Sequence, residues 1–230
     1  MKKIQLAVCF ILISACVIAQ KKSDVILKGG VNFANITETS SGRIDDAKTL
    51  TSFNVGVALD VPISNGFSFQ PGLMLNGKGS KIQSGSESDN NYYKATTNPI
   101  YLELPLNFVG RIPLAENTGI ILGAGPYLAM GVLGKNKAEG RVAGVAFSRE
   151  AAIDYSNDDP TTVNYEEDAG IGKMKRFDVG ANLMAGFNFG KVDILAGYGI
   201  GFLKINSGAN SNEDDNNKHR VWSIGLGLHL

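Results

Sequence analysis

The chain is poor in the residues that build chemistry. Its 230 residues include only two cysteines, Cys9 and Cys16, and two histidines, His219 and His229. Both cysteines fall within the first 19 residues. A chain trimmed there keeps no thiol, no disulfide and no thiolate metal site, even in an oxidising compartment. The histidines stand at opposite ends of one short segment, with no further ligand to complete a zinc site and no serine–histidine–acid arrangement. Net charge is missing too: 22 basic side chains balance 22 acidic ones, which excludes a general attraction to nucleic acid. Beyond the N-terminus no apolar run reaches about 18 residues, so no spanning helix is encoded there. Gly77-Lys78-Gly79 reads as the end of a strand and not as a phosphate loop. No catalytic residue, cofactor or metal ligand is expected, and an enzyme is not.

The first residues read as a targeting signal. Lys2 and Lys3 precede an apolar stretch over 6–18, and Val17-Ile18-Ala19 supplies a small residue suited to cleavage. Residues 1–19 are therefore assigned as a signal peptide. Ile13-Ser14-Ala15-Cys16 also resembles a lipoprotein signal, but the apolar run continues past Cys16 and favours simple cleavage.

Glycine is abundant, with 28 residues, and short alternating segments dominate the chain from residue 25 to its end. The clearest is 98–109, NPIYLELPLNFV. Ile100, Leu102, Leu104, Leu106 and Phe108 share one face of an extended chain, against Tyr101, Glu103, Pro105 and Asn107. The same period of two recurs over 25–35, 53–61, 67–78, 119–132, 176–189, 192–204 and 218–230. Connections alternate long and short: 37–50, 80–97, 133–175 and 206–217 are long, whereas 62–66 and 190–191 are tight. That alternation, with segments longer than the roughly 5–6 residues of soluble strands, describes an all-β, eight-stranded antiparallel up-and-down transmembrane β-barrel over 25–230, with four long surface loops. The bulky apolar face belongs outside, against lipid. Gly, Ala, Ser, Asn and scattered charge belong inside, where eight strands leave room only for side chains.

YLELPLNFVGRI, GAGPYLAMG, RFDVGANLMAGFNF and RVWSIGLGLHL resemble the PorT-like outer-membrane β-barrel (porin-type) family, over about 25–230, with LELPL and GPYLA the most specific parts. The resemblance implies residence in the cell outer membrane. It also implies insertion by the barrel-assembly machinery, which reads the last strand; Leu230 stands where an aromatic residue is usual. Family members mostly lack known activity, and one branch belongs to a protein-secretion apparatus.

Several residues carry sharper expectations. Pro71, Pro105 and Pro126 lie inside strands and each removes a ladder donor, so bulges are expected at them. Lys28, Asp60, Glu103, Asp178 and Asp193 should point inward as a salt-bridged filling. A first hairpin centred near 43–44 sets Lys28 opposite a residue close to Asp60, which predicts a structural luminal ion pair between them. The seven carboxylates over 150–168 match no EF-hand spacing and read as a solvated loop. The functional expectation is a non-enzymatic barrel anchoring surface loops for envelope structure or binding. The alternatives are a narrow pore for small polar solutes or a component of an outer-membrane secretion complex. Expected partners are outer-membrane lipid, the assembly machinery and an extracellular ligand, with no nucleic acid.

Overall fold

The computed structural model describes residues 23–37, 47–156, 173–203, 205 and 218–230. The signal peptide expected over residues 1–19 and most of the acidic stretch, from 157 onward, lie outside the described residues. Eight long strands carry the fold: β1 Asp24–Thr37, β2 Leu50–Ser64, β3 Phe67–Gly77, β4 Tyr92–Ala115, β5 Thr118–Val142, β6 Phe177–Phe189, β7 Val192–Gly201 and β8 Lys218–His229. Each pairs antiparallel with its neighbour in the chain, and β1 pairs with β8 from Ile26↔His229 to Thr37↔Lys218. The ring therefore closes and no barrel strand has a free edge, the condition for backbone groups to survive in lipid.

Alternation decides the two faces. Along β1, Val25, Leu27, Val31 and Phe33 are exposed outward while Ile26, Asn32 and Ala34 are buried inside. The outward face continues around the ring through Leu73, Leu104, Leu128, Leu183, Ile194 and Ile224. An aromatic pair, Tyr198 and Trp222, lies on it with ring centroids 4.5 Å apart. One end of the barrel carries the tight turns, where Gly66 (φ +75°) and Gly190 (φ +65°) take conformations that L side chains disfavour. The other is the loop end.

Three expectations change. Register runs unshifted past Pro71, Pro105 and Pro126: Pro71↔Leu106 and Met74↔Glu103 keep one alignment, as do Pro105↔Tyr127 and Phe108↔Ala124. The missing N–H groups are absorbed by short gaps in the ladder. The register shifts fall instead at Pro62/Ser64, Ile100/Tyr101 and Pro113/Ala115. The first hairpin is centred nearer 42, because Ala34 pairs with Leu50, so Lys28 faces Gly56 and Asp24 faces Asp60.

The third change is one of length. β4 starts at Tyr92 and β5 runs to Val142, well inside segments expected to be loop. Strands Ser80–Ser84 and Val145–Ala152 flank them, pairing with β4 and β5. The result is a sheet projecting past the loop end by about 30 Å, nine residues at about 3.4 Å each beyond Leu133. Its sequence hid it because the alternation there is of charge: Lys135, Lys137, Glu139 and Arg141 take the place of leucines. A hydrophobic period cannot see such a strand.

Candidate functional site

The interior is organised around Lys78. It sits just past β3, between two glycines, and its N–H donates to Pro99 O at 2.9 Å. Its side chain is 2 % exposed, with Nζ 2.9 Å from Glu103 Oε2 and 3.1 Å from Asp178 Oδ2. Tyr127 presents its ring 4.0 Å from the same ammonium and donates its hydroxyl to Asp178 Oδ2 at 2.8 Å. Asn76 and Asn182 each donate to Glu103 at 3.0 Å. From Asn76 the network continues: Asn32 Nδ2 donates to Asn76 Oδ1 at 2.5 Å, and Asn54 Nδ2 to Asn32 Oδ1 at 2.6 Å. One hydrogen-bonded chain thus ties β2, β1, β3, β4 and β6 across the lumen. Buried charges survive only when paired and hydrogen-bonded, and these are both.

Above the cluster the mouth is stopped by apolar side chains. Strands Asp154–Ser156 and Lys173–Lys175 form a parallel pair inside the loop end. They bring Ile153, Tyr155 and Met174 against Ile36, Tyr101, Tyr127, Ala129 and Ile205. Tyr155 donates its hydroxyl to Leu133 O at 2.7 Å and meets the Tyr101 ring edge-on at 5.9 Å. His219 also meets Tyr101 edge-on at 5.3 Å, with Nε2 3.4 Å from the Tyr101 hydroxyl.

Against the cluster lies a cavity of about 130 Å³, lined by Lys28, Asn54, Asn107 and Ser223 together with apolar Met74, Leu195 and Val221. Lys28 Nζ donates to Gln70 Oε1 at 3.0 Å, and Gln70 Nε2 donates to Asp60 Oδ1 at 2.9 Å. The structure thus brings Lys28 and Asp60 into one cluster with Gln70 between them. The carboxylate of Asp60 takes Arg111 as its ionic partner at 3.0 Å. Beside them Asp193 holds His229 at 2.9 Å and Asn188 at 2.7 Å.

All five charges expected to face inward do so. What sequence reasoning missed is the hub. Lys78 shares the inward face of Asn76, and its flanking glycines leave no room for side chains: a Cβ on Gly77 would strike Ser52 Oγ and one on Gly79 would strike Thr97 O. Those glycines were the available signal. Tyr101 was legible as an inward residue of β4, but Tyr155 and Met174 had no signal, because their positions depend on a segment folding back into the mouth. Among the described residues, no group of three His, Cys, Asp or Glu is placed to hold a metal ion.

The projecting sheet is the second candidate. Facing the barrel axis it carries Tyr93, Phe147, Val142 and Val145, all exposed, with the Tyr93 and Phe147 rings 6.4 Å apart. Its outward side is charged. Lys94 bridges Glu87 at 3.2 Å and Glu139 at 3.0 Å, Lys137 also meets Glu139, and Lys135 meets Glu150 at 2.6 Å. Hydrogen bonds from these lysines hold Glu139 and Glu150 below the ordinary carboxylate range, and Lys94 and Lys135 are raised in return.

Residues 18–206 match the model of the outer membrane protein beta-barrel domain. Ail, the attachment invasion locus protein of Yersinia pestis, is similar in structure with 15% identity and a TM-score of 0.40, over 91% of this chain and 100% of that one. Neisserial surface protein A has 12% identity and a TM-score of 0.39, over 90% and 99%. OprG from Pseudomonas aeruginosa has 12% identity and a TM-score of 0.37, over 91% and 97%. Among curated proteins, no sequence matches the chain.

Proposed function

Because the chain belongs to the outer membrane protein β-barrel domain family, we propose that it is a filled, non-enzymatic barrel whose loop-end sheet is its binding surface. Its place is the outer membrane, and the loop end faces the cell exterior. The observation that carries this reading is the contrast between the two ends of β4 and β5. Inside the barrel their side chains serve the Lys78 cluster, whereas beyond it they present a solvated sheet with Tyr93 and Phe147 exposed. Exposed apolar patches of that kind mark contact surfaces. The interior charges, including the Lys28–Gln70–Asp60 relay, serve packing and not transport.

A narrow pore is the second reading, and the cavity of about 130 Å³ is what favours it. Conductance separates the two. The finer kinship with PorT-like proteins rests on the resemblance of LELPL and GPYLA, which here contribute Glu103 and Tyr127 to the Lys78 cluster. With it goes a proposed role in an envelope or secretion complex, reached through the assembly machinery by way of residues 1–19 as signal peptide. In vivo crosslinking from position 149, two residues along on the same face, tests the binding surface: a discrete adduct that Phe147→Ser and Tyr93→Ser abolish supports it. Unchanged adducts in barrels that fold normally would remove it.

A further inference from the structure

The outer wall of the barrel changes character within three residues of β5, and a groove lies at that point. Ile100 pairs with Leu133 and Tyr101 with Gly131, so Val132 is an extra residue on β5. The bulge makes Val132 and Leu133 both face outward, at 37 % and 63 % exposure. Alternation then resumes with the opposite parity, which puts Lys135 and Lys137 on the outer wall. Strand Val145–Ala152 descends from the tip of the sheet back to this rim, where Ile153 N–H donates to Gly134 O at 3.0 Å. Between the descending strand and β4 is an open groove of about 530 Å³. Its floor is Ile100 and Leu133, and Asn98, Ala152, Lys135 and Glu150 border it.

We propose that this groove binds a phosphate-bearing lipid of the outer leaflet, with an acyl chain on Ile100 and Leu133 and the phosphate at Lys135. The proposal rests on the outer-membrane placement argued above. The floor continues the lipid-facing row Leu102, Met130 and Phe177, which pair side by side across β4, β5 and β6, so an occupant enters from the bilayer and not from solvent. Lys135 follows Leu133 by two residues, about 7 Å along the strand, the offset of a headgroup from its chains. Lys81 and Lys137 lie in the next row, both joined to Thr96 in the ladder. The Lys135 side chain is 73 % exposed and its ammonium spends one donor on Glu150, leaving two for phosphate oxygens. Glu150 competes with the ligand for Lys135. Its carboxylate repels phosphate, and that gives the site a signature that simple basic attraction lacks.

Full-length protein folded in zwitterionic micelles, titrated with short-chain phosphatidic acid and followed by amide shifts at 133–137, tests this. Lys135→Gln should weaken binding about fivefold, the loss of one lysine at a charged lipid surface. Glu150→Gln should tighten it, and Arg149→Gln, on the opposite face of the strand, should leave it unchanged. Diacylglycerol and inorganic phosphate should each bind poorly alone, and Leu133→Ser should weaken the lipid. Equal binding of phosphatidic acid to wild type, Lys135→Gln and Glu150→Gln would overturn the proposal, as would inorganic phosphate binding as well as the lipid. Retained heat-modifiable mobility in those variants would leave the barrel reading standing, whereas a protein that forms no barrel in lipid would remove that reading itself.

Discussion

The ring of Tyr155 lies directly on Gly131, and a Cβ at that position would collide with Tyr155 Cε1 and Cδ1. The mouth of the barrel is stopped because β5 omits a side chain where the returning segment inserts an aromatic one.

Gly131→Ala should therefore expel Tyr155 and loosen the Asp154–Ser156/Lys173–Lys175 pair while the barrel stays folded. Burial of such a ring is worth about 1.5–3 kcal/mol, a cost the cap would lose. Limited proteolysis should cut near 153–156 in the variant and spare the wild type, with heat-modifiable mobility unchanged. Equal protection of both would show that the ring accommodates the methyl group.

Lys78→Met should destabilise the barrel by about 3–5 kcal/mol, because Glu103 and Asp178 are then left buried without their cation. The triple variant Lys78→Met, Glu103→Gln, Asp178→Asn should be less damaged than the single one, since it removes the stranded charges as well. Unfolding in urea with lipid present measures both. A triple variant as unstable as the sum of its parts would mean the three groups do not act as a unit.

Leu104→Arg and Leu183→Arg put charge on the outward face at a cost of about 2–4 kcal/mol near mid-membrane. Asn107→Ser, facing the cavity, should be nearly neutral. Asn182→Ser should cost about 1.5–3 kcal/mol, because Asn182 donates to the buried carboxylate of Glu103 at 3.0 Å. Folding yields in lipid that rank Asn107→Ser with the arginine variants would reverse the face assignment.

At the tip of the projecting sheet, Ala143 (φ +49°) and Gly144 (φ +83°) both adopt the left-handed conformation of a two-residue hairpin turn. Alanine is strained there by about 1 kcal/mol. Ala143→Gly should slow hydrogen exchange of the amides of 138–149, and faster exchange would show that the turn is not held in this form.

The faces of the barrel were legible in the sequence because lipid imposes a strict period of two, as Ile100 to Phe108 show on β4. The closed eight-strand ring followed from the rhythm of long and short connections. Register was not legible. An error of between one and two residues in centring the 37–50 connection moves the partner of Lys28 by about three positions, from beside Asp60 to Gly56, and nothing local corrects it. The Lys78 hub was half visible, through inward parity and its glycine neighbours. The projecting strands were hidden because water, unlike lipid, lets Lys135 to Val142 hold a strand with charge in place of hydrophobicity.

Single-channel recording in a planar bilayer tests the filled barrel most directly. The Lys78 cluster and the Tyr155 cap together predict no current steps from the wild-type protein, and none from Gly131→Ala, whose charged cluster still spans the lumen. Steady ohmic steps from wild-type barrels of verified fold would contradict the account and restore the pore.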